Sequence, residues 1–123
     1  MVTGVQTCAL PISHGLPFHT KFDRILVDAP CSGTGTLGRN PEIKWRLQPA
    51  DLVDLATRQS LILKHALQVL KPGGLLVYST CSIEPEENER VVNSVAKGHC
   101  TKSFYTIPGR DVGDGFYAAV ITS

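Results

Sequence analysis

The sequence predicts an α/β domain, half of a sheet covered by helices. Three observations predict it. Phe22–Val27 (FDRILV) and Leu75–Thr80 (LLVYST) are short apolar runs rich in strand formers. Between them lies one long stripe of apolar residues at helical spacing. After them come a second helical segment and two further apolar runs. Strand, helix, strand, helix and two late strands describe part of a sheet with helical connections.

Each element follows from its residues. The first strand ends at Asp28-Ala29-Pro30, because proline cannot continue the ladder. Cys31 to Pro41 contains Gly33, Gly35, Gly38 and Pro41 and reads as a long loop. Pro49 suits the first turn of a helix, where its missing N–H costs nothing. Leu52, Leu55, Ala56, Ile62, Leu63, Ala66, Val69 and Leu70 form the stripe, which needs a sheet to cover it. Lys71-Pro72-Gly73-Gly74 terminates that helix. The second strand, Leu75–Thr80, is apolar enough to be buried on both faces. Pro85 with Glu84, Glu86 and Glu87 marks a second helix start, since acids suit the positive end of a helix dipole. This helix should run to Ala96 and stop at Lys97-Gly98. Phe104–Ile107 and Gly115–Ile121 are expected as the third and fourth strands, separated by the turn at Gly109–Asp114.

Composition narrows the function classes. The 123 residues suffice for one small domain, with 42% hydrophobic and 19% charged residues, as in ordinary globular proteins. No apolar run approaches the ~20 residues of a membrane-spanning helix, so no membrane partner is expected. A net charge of +1 does not announce a nucleic-acid partner, so any such affinity must come from a local patch or from sequence outside this chain. Cys8, Cys31, Cys81 and Cys100 form no C-x-x-C pair, and no metal site is expected. Sparse cysteines without a secretory signal point to a reducing, cytoplasmic setting. Cys100 reads as a small buried hydrophobe.

Met1–Ser13 (MVTGVQTCALPIS) has neither strand nor helix periodicity and no cap signals. Val2–Ile12 resembles a frame translation of a common sequencing adapter. Residues 1–13 are therefore expected to be an artefactual leader, Cys8 receives no role, and 14–123 carry the domain.

Ligands of open α/β sheets bind outside the carboxyl ends of the strands. Asp28–Cys31 and Thr80–Ser82 occupy two such ends. Two cysteines far apart in sequence would then face one crevice.

Asp28-Ala29-Pro30-Cys31 and Ser79-Thr80-Cys81-Ser82 resemble the paired signature motifs of the RNA cytosine-C5 methyltransferases, the NOL1/NOP2/Sun family. Further likeness covers Arg39–Trp45, Leu70–Gly74, Pro85–Asn88 and Gly113–Phe116. The resemblance implies a partial Rossmann-like class I methyltransferase sheet, its C-terminal half, with a late antiparallel strand. It implies S-adenosyl-L-methionine as cofactor and RNA as partner, with no stable protein partner. Asn40–Trp45 and the ending are most similar to the bacterial small-subunit members, which implies 16S ribosomal RNA; family members acting on tRNA or large-subunit rRNA are the alternative. By the same likeness Cys81 is the nucleophile and Cys31 the helper in product release. The likeness also implies that Asp28 lies close to both cofactor and target base, and Pro30 is expected to rigidify the loop and shape the base slot. The family's glycine-rich cofactor loop precedes the first motif. Here no strand followed by a glycine turn precedes Asp28. Most of the cofactor site is thus expected outside this sequence, and the chain alone is expected to be inactive.

The chemistry suits these residues. Cytosine C5 is too weakly nucleophilic to take a methyl group directly. A thiolate adding at C6 turns the ring into an enamine-like nucleophile, and cysteine is both a strong nucleophile and a workable leaving group. Cys81 just before a helix N-terminus would gain thiolate character, which Glu84, Glu86 and Glu87 would oppose. Cys31 fits a general acid or base beside the adduct. The target base must leave its stack to reach a thiol. Arg39, Lys44, Arg46 and Trp45 read either as phosphate contacts with a stacking aromatic or as a solvated loop anchored by a buried Trp45.

Two rival readings remain. Gly33-Thr34-Gly35-Thr36-Leu37-Gly38 fits G-x-G-x-x-G, the mark of an NAD-dependent oxidoreductase, but Pro41 follows where a helix should open. The other rival is an inactive piece of a methyltransferase whose strand Phe22–Val27 presents an open, apolar edge.

Overall fold

The structure, a computed structural model, describes residues 20–123. The expected leader at 1–13 and Cys8 lie outside the described residues. The elements are β1 (Phe22–Asp28), α1 (Ile43–Arg46), α2 (Pro49–Gln68), β2 (Leu70–Thr80), α3 (Glu89–Val95), β3 (Cys100–Thr106) and β4 (Phe116–Thr122). A single 3-10 turn, Thr34–Thr36, interrupts the glycine-rich loop.

The strands form one sheet in the order β1-β2-β4-β3. β1 and β2 are parallel, joined by the α2 crossover, and β4 runs antiparallel to both β2 and β3. A parallel pair needs such a long connection, and α2 supplies it, with Ala56, Ile62, Leu63 and Ala66 of the expected stripe packed in or against the core. Val69 and Leu70, read as the end of that stripe, fall at the helix C-cap and the first position of β2. Gln48 and Asp51 close a capping box at its start, with Pro49 inside the first turn.

The core lies on one face of the sheet. Leu76, Tyr78, Tyr117, Ala119 and Ile121 meet Leu63 and Ala66 of α2 and Val91 and Val92 of α3, all fully or almost fully buried. The opposite face is open: Leu26 is 71% and Phe104 56% exposed. The expectation that the second strand is buried on both faces is therefore corrected. Along β2 buried Leu76, Tyr78 and Thr80 alternate with half-buried Leu75, Val77 and Ser79, because α2 and α3 cover the same side. β1 is an edge strand among the described residues, with Leu26 uncovered on it, as its apolar sequence foretold.

Four element starts differ from expectation. β2 begins at Leu70, which pairs with Phe22, and Lys71–Gly74 bulges within the strand rather than only ending the helix. α3 begins at Glu89 because Glu87 and Asn88 turn inward to tertiary hydrogen bonds, leaving Asn88 at φ −109 and ψ −104. β3 begins at Cys100, four residues before the apolar run, because pairing with β4 extends to Ile121 while its polar side chains face solvent. Cys100 is consequently exposed, not a buried hydrophobe. β4 spans 116–122 rather than 115–121, since Gly115 is held by the loop described below.

Candidate active site

β1 and β2 are parallel neighbours, so their carboxyl ends lie side by side, with Asp28 opposite Ser79. One more backbone bond, Ala29 N–H to Ser79 O at 2.9 Å, carries the pairing past the strand end. The chains then diverge into two loops, and these bring Cys31 Sγ within 3.1 Å of Cys81 Sγ. Both thiols are half-buried, open enough to meet a ligand. Burial, followed by the hydrogen bond with Cys81, pushes the Cys31 thiol up to about 12, so Cys31 keeps its proton at neutral pH. The helix dipole expected to assist Cys81 is not at hand, because α3 starts eight residues later, at Glu89.

The loop after Cys31 is fixed against the loop after Cys81. Gly35 donates to Cys81 O at 2.9 Å and accepts from Gly115 N–H at 2.7 Å. A Cβ at Gly35 would lie 2.1 Å from Gly115 O and 2.8 Å from Cys81 O, so only glycine fits there. Thr34 Oγ1 accepts from Ile83 N–H at 3.1 Å. The G-x-G-x-x-G stretch thus serves the second cysteine's loop and leads only into a 3-10 turn and the one-turn α1, not into a dinucleotide-binding helix.

Beneath the cysteines lies a buried polar layer that the sequence reading missed. Ser32 and Ser82, which directly follow the two cysteines, both donate to the Glu87 side chain. Gln59 of α2 donates to Pro30 O at 2.7 Å and to Glu87 Oε1 at 3.1 Å. Asn88 Nδ2 donates to Ser82 O at 2.9 Å and accepts from Thr80 Oγ1 at 2.6 Å. Glu84, nearby, has its carboxyl raised by burial and then by the charges of Glu86 and Glu87. Gln59 carried a legible signal: it falls on the apolar stripe of α2, where a polar residue must find partners inside. Glu87 carried none, since an acid near a helix start reads as a dipole partner.

Asp28 is exposed at the carboxyl end of β1, and Pro30 is exposed with its carbonyl held by Gln59. The expected basic stretch is more dispersed. Arg39 is bound to Asp114, at 2.7 Å from Nε and 2.6 Å from a terminal nitrogen. Lys44 Nζ lies over the Trp45 ring, 5.6 Å from its centroid. Arg46 lines a groove beside Ser32 together with Asp51, Asp54 and Arg58, where both signs of charge are present. Trp45 is 81% exposed, which overturns the buried-anchor reading and leaves a ring open to solvent. No described helix is long and apolar enough to cross a membrane.

The family model described as 16S rRNA methyltransferase RsmB/F matches residues 7–108. A ribosomal RNA small subunit methyltransferase B from Klebsiella pneumoniae (strain 342) is 44% identical over 110 residues, covering 80% of this chain and 26% of that protein. The crystal structure of PH0851 superposes with a TM-score of 0.78 at 32% identity, covering 82% of this chain and 26% of that one. The crystal structure of NSun6 from Pyrococcus horikoshii with SFG gives 0.81 at 25% identity, covering 98% of this chain and 35% of that one. The chain spans about a quarter of the length of the curated relatives it matches.

Proposed function

The chain belongs to the 16S rRNA methyltransferase RsmB/F family, and from that membership we propose that the protein methylates C5 of cytosine in 16S ribosomal RNA through a covalent bond from Cys81 to C6. The observation that carries the reading is the 3.1 Å approach of the Cys31 and Cys81 sulfurs at two adjacent strand ends. A lone thiol there would be unremarkable; two thiols in contact, both reachable from solvent, suit one group that adds and one that manages a proton. The name of the Klebsiella relative supports small-subunit ribosomal RNA as the substrate. The reading carries a cytoplasmic setting with it, in which both thiols stay reduced.

In this mechanism Cys81 Sγ, as thiolate, adds to C6 of a base turned out of its stack, and the electron pair displaced from the C5–C6 bond enriches C5. S-adenosyl-L-methionine, when bound, supplies the methyl group that C5 takes up. Loss of the C5 proton to solvent leaves the C–H electron pair to restore the C5–C6 double bond and expels the Cys81 thiolate. Cys31, which holds its proton, stands in contact with the departing sulfur and can donate to it. Asp28, exposed at the end of β1, offers an acceptor to the cytosine amino group and to donors on the cofactor, and Pro30 stiffens the neighbouring wall. The SFG complex of the Pyrococcus relative supports the choice of cofactor, SFG being an analogue of it. The rest of the cofactor site belongs to sequence outside residues 20–123. The open face around Leu26 and Phe104 supports the same division, in which this chain works only together with further sequence and is inactive by itself.

The test is covalent capture on a 5-fluorocytosine RNA, using the Klebsiella relative with this segment in place of its own. Cys81→Ala should abolish both methylation and capture, and retained capture would refute the assignment. On unmodified RNA, which wild type releases, Cys31→Ala should let enzyme–RNA adducts accumulate; unchanged adduct levels would remove Cys31 from product release.

A further inference from the structure

We infer that Glu87 is a positioning residue that holds the Cys31 and Cys81 loops at a fixed spacing for the proposed reaction; the inference rests on that reading for its purpose, not for its geometry. Glu87 is fully buried. Its Oε1 accepts from Ser32 N–H at 2.8 Å and from Gln59 Nε2 at 3.1 Å. Its Oε2 accepts from Ser32 Oγ at 2.6 Å and from Ser82 Oγ. No basic side chain is among these partners. Burying an acidic group without a counter-ion is costly, and hydrogen bonds from every side are what makes it tolerable.

The donors reveal the purpose. Ser32 follows one cysteine and Ser82 follows the other, so one carboxyl group ties both loops together immediately behind the thiols. Glu87 itself is not one of the apolar residues that build the core on the helix side of the sheet. Gln59 fixes the third corner. Both of its amide hydrogens are spent on Pro30 O and Glu87, and its Oε1 is left buried without a partner. An unsatisfied buried oxygen is a loss that the orientation of the amide imposes. The backbone of Glu87 is pinned as well, by Tyr78 Oη donating to its carbonyl at 2.7 Å. The carboxyl group is thus the fixed point, and the cysteine loops are hung from it.

The spacing of two thiols is measured directly by their disulfide equilibrium with glutathione. Each protein disulfide formed consumes one oxidised glutathione and releases two reduced ones. The experiment uses the 123-residue chain with Cys8→Ser and Cys100→Ser, and thermal unfolding by circular dichroism as the control for folding. Glu87→Ala should lower the Cys31–Cys81 equilibrium constant about tenfold or more, a change of roughly 30 mV per decade in this two-electron couple. Glu87→Gln should stay within about threefold of wild type, because its Oε1 keeps Ser32 N–H and Gln59 while its amide donates to the two hydroxyl groups. A role in stability alone would move the unfolding temperature and leave the constant in place. A folded Glu87→Ala with an unchanged constant overturns the inference, as does a Glu87→Gln that falls as far as Glu87→Ala, or a wild type whose thiols do not pair. Should Glu87→Ala not fold, Ser32→Ala with Ser82→Ala decides by the same measurement: a fall of similar size supports the tie, and no change overturns it. Neither RNA nor cofactor enters this assay, so its outcome and that of covalent capture are independent.

Discussion

Cys31 Sγ and Cys81 Sγ lie 3.1 Å apart across the carboxyl ends of two parallel strands, although they stand fifty positions apart in the chain. Hydrogen peroxide or another mild oxidant should therefore join them in one intramolecular disulfide, with loss of two hydrogens. The sulfurs need to close only to about 2.05 Å. Closing a loop of about fifty residues would raise stability by up to about 4 kcal/mol, less any strain. Exposed Cys100 should remain open to alkylation. Peptide mapping checks the link, and oxidation that yields Cys100-linked dimers instead would contradict the geometry.

The Cys31 thiol is pushed from 9.0 to about 12, first by burial and then by the hydrogen bond with Cys81. The folded chain therefore holds this proton more tightly than the unfolded chain does. The stability linked to it is complete below pH 9 and is lost as the pH rises toward 12. Iodoacetamide should label Cys31 ever faster between pH 9 and 11, whereas an unfolded control levels off just above pH 9. Cys81→Ala removes the second cause and should bring the rise partway down. A plateau shared by folded and unfolded chains would contradict the burial argument.

Gly35→Ala should destabilise the chain by about 2–4 kcal/mol, because the new Cβ meets backbone atoms of Gly115 and Cys81 that no rotamer change can move. Gly38→Ala, in the same loop, meets nothing within 4 Å and should change stability by less than about 0.5 kcal/mol. Urea midpoints at equal slope separate the two. Equal effects would place the close approach elsewhere.

Trp45→Ala should leave the urea midpoint nearly unchanged, since the ring is 81% exposed. If the ring stacks on RNA, the same change in the Klebsiella chimera should weaken RNA binding by about 1–3 kcal/mol, and Trp45→Phe should restore part of it. Fluorescence anisotropy with a labelled 16S fragment reads both. A stability loss without a binding loss would return Trp45 to a structural role.

What the sequence announced and what it hid divide along a physical line. β1, α2 and β4 were legible because strand and helix periods show in local apolar spacing, and the antiparallel direction of β4 followed from the family resemblance. The meeting of Cys31 and Cys81 was legible because parallel strands align their carboxyl ends, whatever the length of the crossover. The partners of the Glu87 and Gln59 side chains were not, because apart from Ser82 they lie 28 to 55 residues away in sequence, although the place of Gln59 on the apolar stripe already called for buried partners. The same bonds moved the start of α3 from Pro85 to Glu89, overriding a local signal that acids and proline gave correctly in isolation. Cys100 was misplaced for a similar reason: its surroundings are decided by pairing with Ile121, not by its own apolar character.

The sheet closes from its middle outward. Among the described residues β3 has β4 as its sole neighbour, and β4 is the later of the two along the chain. Residues 100–106 therefore have no strand to join among the described residues until 116–122 have threaded in beside β2, where Ser123 fastens β4 by bonds to Lys71 and Gly73. During synthesis, residues 100–106 emerge with their backbone groups unpaired within residues 20–123, an edge open to wrong partners, until 116–122 have left the ribosome. A premature stop anywhere between 107 and 115 would thus cost two strands, not one.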